Sequence, residues 1–269
     1  MLRLSLLLAI LTGGLFANLN RIEVQAVYPF DKKRQSPSSA GAPALHERIV
    51  KTNGQSLILW TAAPKPGQPT ILYFHGNAGN LANRAGRFQR FQARGYGVIA
   101  PAYRGSSGSS GKPSEPALSR DAQHIYRHLD RLIPGLTPSQ TVIYGESLGT
   151  GVALKLLAKP GTAQPAAVVL EAPYTSLPDV VRHTYPQLEP LIPRMKNIWN
   201  SLDHARALSV PLLVLHGTDD ALIPINQGRQ VFTAAPSQAK RFLAVKGAGH
   251  TDIWRSDVLP ALWHFIDQH

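Results

Sequence analysis

Short runs of apolar residues alternate along this chain with longer stretches in which apolar positions recur every three or four residues. The runs "PTILYFHG", "YGVIAPAY", "TVIYG", "AAVVLEAP" and "VPLLVLHG" contain almost no polar alternation. Continuous apolar runs this short predict strands buried on both faces. Between them, "NRAGRFQRFQARG" has helical periodicity and closes at Gly95. "EPALSRDAQHIYRHLDRLI" places Leu118, Ala122, Ile125, Leu129 and Leu132 on one helical face. "SLGTGVALKLLAK" predicts a helix that opens directly after the strand "TVIYG". This alternation predicts βα units on a parallel sheet. Ahead of them, "LHERIVKTNGQSLILWTAA" holds two apolar runs around Asn53-Gly54, a hairpin signal that adds antiparallel edge strands. The expected fold is one doubly wound α/β domain with a mostly parallel sheet. Ligands of such sheets bind outside the carboxyl ends of the strands.

The N-terminus follows neither pattern. "MLRLSLLLAILTGGLFANLN" has Arg3, an apolar run from Leu4 to Leu11, and a weaker stretch to Leu19. The core of this run has signal-peptide length, and the whole barely reaches that of a spanning helix. Residues 1–20 are therefore expected to be a signal peptide or a membrane anchor. Residues 21–44 contain "DKKRQSPSSAGAP", polar, basic and rich in Ser, Pro and Ala, and are expected to be a tether. Residues 45–269 are the expected catalytic domain. A location at a membrane or exported to the cell envelope follows.

Composition narrows the chemistry. The 269 residues are 43% hydrophobic, enough for one large core. The absence of cysteine excludes disulfides, thiolate catalysis and cysteine-ligated zinc. The formal net charge of +12 admits nucleic acid, an anionic membrane surface or general solubility. Basic residues are scattered apart from Lys32, Lys33 and Arg34. With no zinc-finger spacing, RNP motif or continuous basic helix, nucleic acid is the weakest of the three. The apolar N-terminus favours an anionic membrane surface as partner.

The chemistry-bearing residues lie where strands end. "GESLG" sets Ser147 in a G-x-S-x-G frame. Alone, five residues are a weak signal; here a strand ends at Tyr144 and a helix begins beside Ser147, the context that projects a nucleophile above a sheet. The bland reading is an N-cap serine. A serine nucleophile needs a base, and the base an orienting acid, in the chain order Ser, Asp or Glu, His. "LLVLHGTDDALIP" offers Asp219 and Asp220 after one strand, and "KGAGH" offers His250 after the next, "RFLAV". The other histidines need no active role; His75 and His216 precede Gly at strand ends and suit structural duty. The oxyanion of a tetrahedral intermediate needs N–H donors. Leu148 supplies one at the helix start, and Asn77 in "HGNAGN" the other.

These residues resemble the α/β-hydrolase superfamily. "HGNAGN", "PAYRGSSGSSGKPSE", "GESLG", "EAPYTSL", "HGTDDALIP" and "GAGH" are similar to its small-lid, often membrane-anchored branch, which includes ABHD-type protein depalmitoylases and many bacterial relatives. The likeness spans about Tyr28 to His269. The family frame H-G-x-x-D-x-x-[VI]-P selects Asp220 over Asp219. The branch also has a loop of the same length as "GSSGSSG", so a stretch that reads like a linker becomes a family element. Ser106 stands where relatives commonly carry an aromatic, and Tyr103 and Ser106 are expected to contact substrate. Residues 177–208 leave room for a lid of only two or three short helices, broken by Pro178, Pro186, Pro190 and Pro193. The resemblance implies hydrolysis of a carboxylic ester or thioester, lipid-like in character, with no cofactor or metal. A serine aminopeptidase on the same fold is the alternative, with Glu171 as the group that would hold an amine. A non-catalytic, membrane-tethered binding module is the reading from another class.

Overall fold

The computed structural model describes residues 19–269. The expected signal peptide or anchor falls almost wholly outside the described residues. Among the described residues, no helix is long and apolar enough to cross a membrane.

The core is an eight-stranded sheet. Its strands are β1 (His46–Thr52), β2 (Gln55–Ala62), β3 (Thr70–Phe74), β4 (Gly97–Pro101), β5 (Thr141–Glu146), β6 (Ala167–Glu171), β7 (Leu212–Gly217) and β8 (Lys240–Val245). They lie in the order β1-β2-β4-β3-β5-β6-β7-β8. β1 and β2 form the antiparallel hairpin, with Asn53 at φ +48° and Gly54 at φ +71°. Positive φ at both central residues is what a two-residue hairpin turn with the sheet's twist requires. β2 also runs antiparallel to β4, and every later pairing is parallel. This is the mostly parallel, doubly wound sheet expected from the strand and helix pattern, in the α/β-hydrolase form that the resemblance implies.

Successive strand residues feed opposite layers, as the period of two dictates. Leu72 and Phe74 of β3, with Val168 and Leu170 of β6, face one core. There they meet Leu148, Val152 and Leu156 of α5 (Leu148–Leu157) and Leu118 and Ile125 of α3 (Glu115–Arg127). Ile71 and Tyr73 of β3 face the other core with Phe88 and Phe91 of α2 (Ala85–Ala93) and Leu262 and Ile266 of α9 (Leu259–Asp267). With both layers filled, a site belongs over the carboxyl rim of the sheet. Over that rim, between β6 and β7, lie α6 (Leu177–Thr184), a 3-10 helix (Pro186–Arg194) and α7 (Ser201–Ala205).

The segment expected to be a tether is instead folded onto the domain. Residues 19–27 form helix α1. Its Glu23 accepts the backbone N–H groups of Lys196 (3.0 Å) and Asn197 (2.7 Å). Tyr28 is buried, donates to Asn197 (2.8 Å) and accepts from the Trp199 indole (2.9 Å). Asp31 bonds the turn after β3 through its N–H to Gly79 (3.0 Å) and its carboxylate to Asn80 (2.6 Å). Ala42 and Leu45 enter the second core. A polar, Pro-rich composition signals a linker only when its backbone groups are left to water; here the domain satisfies them.

Candidate active site

Ser147 occupies the single residue between the end of β5 and the start of α5, at φ +50° and ψ −114°. Side chains other than glycine avoid this region, at a cost of about 1–2 kcal/mol. Neighbouring bonds hold it there: the Ser147 N–H donates to the Glu171 carbonyl (2.8 Å), and the Ser147 carbonyl accepts from the Thr150 N–H (2.9 Å) and hydroxyl (2.6 Å). The turn is tight enough to need the flanking glycines. A Cβ on Gly149 would lie 1.9 Å from the Phe74 carbonyl oxygen, and one on Gly145 would lie 2.7 Å from that of Gly149.

The structure brings Ser147, His250 and Asp220 together from three different strand ends. His250 Nε2 lies 2.9 Å from Ser147 Oγ, and His250 Nδ1 lies 2.8 Å from Asp220 Oδ2. The other Asp220 oxygen accepts the N–H groups of Leu222 (3.0 Å) and Ile223 (2.8 Å). Burial raises the Asp220 carboxyl, but His216, His250 and the Ile223 N–H outweigh it and hold the group well below the ordinary carboxylate range. Asp219 points to solvent and takes only the Thr218 hydroxyl (2.8 Å). His216 is wholly buried, with Nε2 2.8 Å from the Ile223 carbonyl, and braces the loop that carries Asp220.

Ser147 stands between two cavities of opposite character. One, of about 380 Å³, is walled by Ala26 and Val27 of α1, Val180 and Val181 of α6, Leu188 and Ile223, and both Asn77 and Leu148 line it. The other, of about 480 Å³, is lined by Arg84, Arg87, Glu146, Glu171, His250 and Trp254. Arg84 grips Glu146 with two bonds (2.7 and 3.1 Å), and Arg87 grips Glu171 likewise (2.5 and 2.9 Å). Burial alone would raise the Glu146 carboxyl; Arg84 and Arg87 reverse this and hold it far below its usual value. The Arg87 guanidinium lies 4.6 Å from the Trp254 ring centroid, and the Trp254 indole donates to Glu171 (3.0 Å).

Sequence reasoning missed this charged wall. Its signal was the i,i+3 pair Arg84 and Arg87 after "HGNAGN", and a glutamate as the second residue of the G-x-S-x-G frame. Glu171, the candidate amine holder, is 1% exposed and already accepts from Arg87, Tyr144 and Trp254. The buried carboxylate is thus already neutralised by Arg87, which weakens its pull on a substrate amine.

Tyr103 and Ser106, expected to contact substrate, line neither cavity. Tyr103 is buried and donates to the His75 carbonyl (2.9 Å). Ser106 is wholly buried beside Ser107. The loop "GSSGSSG" folds inward because Gly105, Gly108 and Gly111 all take positive φ, at +76°, +87° and +86°. Its serines then satisfy backbone groups of neighbouring segments. Ser107 Oγ accepts the Leu81 N–H (3.0 Å), and Ser109 Oγ accepts the Ile58 N–H (2.9 Å).

The chain is similar to known proteins in sequence and in fold. A family model of the α/β-hydrolase fold matches residues 69–199, and one for serine aminopeptidases of the S33 type matches residues 188–253. An uncharacterised protein of Mycobacterium tuberculosis is 32% identical over 218 residues, covering 80% of this chain and 75% of its own. A lysophosphatidylserine lipase of Rattus norvegicus is 30% identical over 236 residues, covering 78% of this chain and 58% of the lipase. Among solved structures, an α/β hydrolase from Vibrio vulnificus superposes with a TM-score of 0.72 at 18% identity, over 93% of this chain and 92% of that one.

Proposed function

The chain belongs to the α/β-hydrolase family, and on that footing we propose that it is a serine hydrolase cleaving carboxylic ester or thioester bonds of amphipathic substrates. The observation that carries this reading is the continuous Ser147, His250, Asp220 contact at a serine set between an apolar and a charged cavity. Ser147 Oγ attacks the acyl carbon while His250 Nε2 accepts its proton. Asp220 holds the tautomer with hydrogen on Nδ1 and stabilises the imidazolium that forms. The backbone N–H groups of Leu148 and Asn77 receive the oxyanion. His250 returns the proton to the leaving group as the carbonyl reforms. Water, deprotonated by the same imidazole, then releases the acid.

The two cavities suggest how such a substrate lies. The acyl chain enters the apolar side, and a polar leaving group lies against Arg84, Arg87 and Glu146. The relative named for its action on lysophosphatidylserine acts on an ester of this amphipathic kind. The peptidase alternative is disfavoured by the Arg87 ion pair, which already neutralises the buried Glu171 carboxylate. The test is a panel of p-nitrophenyl esters of graded chain length, acyl thioesters, a lysophospholipid and amino-acid p-nitroanilides. Esters or thioesters should be cleaved and the anilides should not. A preference for anilides sinks the reading. Failure of a fluorophosphonate to label Ser147 would return the chain to the class of binding modules.

A further inference from the structure

Helix α1 divides two grooves on the face that carries the lid. Arg21, Val24, Gln25 and Tyr28 share one side of it, at the i, i+3, i+4, i+7 spacing of one helical face. Ile22, Glu23, Ala26 and Val27 share the other. The first side borders a groove of about 910 Å³, lined by Arg21, Lys32, Lys112 and Lys196 with no acidic side chain among its lining residues. All four cations are exposed, and none forms a salt bridge among the described residues. The carboxylates of the surrounding elements are committed elsewhere. Glu23 takes the N–H groups of Lys196 and Asn197, Asp31 takes Asn80, and Glu115 takes Lys155 and the N–H of Trp199. The floor of the groove is the loop "GSSGSSG": Gly105 and Gly111 line it.

The second side of α1 is apolar. Six large apolar side chains are exposed among the described residues, and five of them, Ile22, Tyr185, Leu188, Leu191 and Leu222, border the α1–lid groove or the acyl cavity. Only Ile49 lies elsewhere. Clustering of this kind marks a docking face and not the scatter of single exposed residues that every surface carries. In sequence, the apolar run of Leu4 to Leu11 precedes α1.

We propose that this face docks on an anionic phospholipid bilayer, with lipid phosphate groups held in the Arg21, Lys32, Lys112 and Lys196 groove and Ile22, Leu188 and Leu191 set among the acyl chains. An amphipathic helix with cations on one flank and apolar side chains on the other suits that boundary. Docked so, the apolar cavity beside Ser147 opens toward the acyl region, because Ala26, Val27 and Leu188 line both the α1–lid groove and that cavity, Val27 and Leu188 among the residues they share. The inference deepens the hydrolase reading by naming the surface from which substrate is taken, and rests on it to that extent.

The test is partition of the full chain between solution and two kinds of vesicle, pure phosphatidylcholine and phosphatidylcholine with about a third phosphatidylglycerol. Turnover of a short soluble ester is followed in parallel. The double substitution Lys32→Glu, Lys112→Glu should lower partition onto the anionic vesicles by about tenfold or more. It should leave partition onto neutral vesicles and soluble-ester turnover unchanged. Ile22→Asp should lower partition onto both kinds of vesicle. Unchanged anionic partition in the double variant overturns the proposal, as does unchanged partition of Ile22→Asp. Equal competition by soluble glycerophosphoglycerol would make the groove a site for free phosphate esters and overturns the docking. Binding of a short DNA duplex, lost in the same double variant, overturns it in favour of nucleic acid. Absence of soluble-ester turnover by the unaltered chain overturns the hydrolase reading alone, since the vesicle measurement reads docking directly.

Discussion

Ser147 stands at φ +50° and Ser107 at φ +52°, two serines held where glycine is at ease. Around Ser147 the backbone groups are satisfied by Glu171 and Thr150, and the hydroxyl is left to face His250 and the cavities. Around Ser107 the hydroxyl itself does the satisfying, accepting the Leu81 N–H, while its own N–H donates to the Asp31 carbonyl (2.9 Å). Leu81 follows the turn that carries Asn77, so Ser107 helps fix that turn. Backbone strain is therefore no mark of chemistry by itself. What separates the two residues is whether the side chain is spent on the fold or kept free of it.

The widest gap between them should appear on truncation. Ser147→Ala is expected to lower kcat/KM for p-nitrophenyl esters by about 10⁴-fold or more while leaving the melting temperature unchanged. Ser107→Ala should hold kcat/KM within about tenfold. It should lower stability by about 1–3 kcal/mol, because it leaves a buried N–H unpaired. Loss of activity without loss of stability in Ser107→Ala would erase the contrast.

The two adjacent aspartates sharpen the same point. Asp220→Asn should cost about 10³ to 10⁴ in kcat, since the amide favours the wrong tautomer of His250. Asp219→Asn, at an exposed site, should change it by less than about twofold. Equal losses would mean that the loop, and not the carboxylate facing His250, is what matters.

Two histidines extend the comparison to pH. His250 faces Ser147; His75 is wholly buried, with Nδ1 2.7 Å from the Gly76 carbonyl. Burial first, and the nearby Arg84 second, push the His75 imidazole down to about 3. In the unfolded chain it takes a proton near pH 6.5. Below that the unfolded state binds more protons, so this contribution to stability is complete above pH 6.5 and declines as pH falls toward 3. By pH 5 the loss should reach about 2 kcal/mol. Unfolding free energies of the unaltered chain and of His75→Asn, from denaturant titrations between pH 7 and 5, should converge by that amount. Parallel curves would show that His75 does not carry the acid sensitivity.

The smallest difference concerns strain alone. Replacing either serine by glycine, in place of alanine, should recover about 1 kcal/mol, because glycine accepts positive φ without penalty. Identical melting temperatures for Ser147→Gly and Ser147→Ala would show that the turn relaxes when the hydroxyl is gone.

Much of this was readable from the chain. β3, β5 and β7 are near-continuous apolar runs because both faces of the sheet are covered, and that pattern survives any detail of packing. Ser147, Asp220 and His250 were legible because each follows such a run, and strand ends share one rim. Residues 31–43 and 105–111 were not. Their Ser, Gly and Pro content is the same whether polar groups meet water or meet Ile58, Leu81 and Gly79 across the fold. Contacts of that kind are tertiary and leave no local period. The part of α1 in the apolar cavity was hidden for the same reason, being continuous in sequence with a run that reads as an anchor.

That helix is both the way into the described fold and a wall of the chamber beside Ser147. Glu23 clamps it to Lys196 and Asn197, and Ala26 and Val27 form its share of the lining. A load applied to the chain at residue 19 thus bears on a wall of the chamber, and α1 is a handle on it. Traction on such a handle would alter the width of the chamber, so the length of acyl chain accepted should depend on how the protein is held. The same molecule, assayed free and then immobilised through its N-terminus, would show two different chain-length preferences. Identical preferences would mean that the clamp at Glu23 absorbs the load before it reaches Val27.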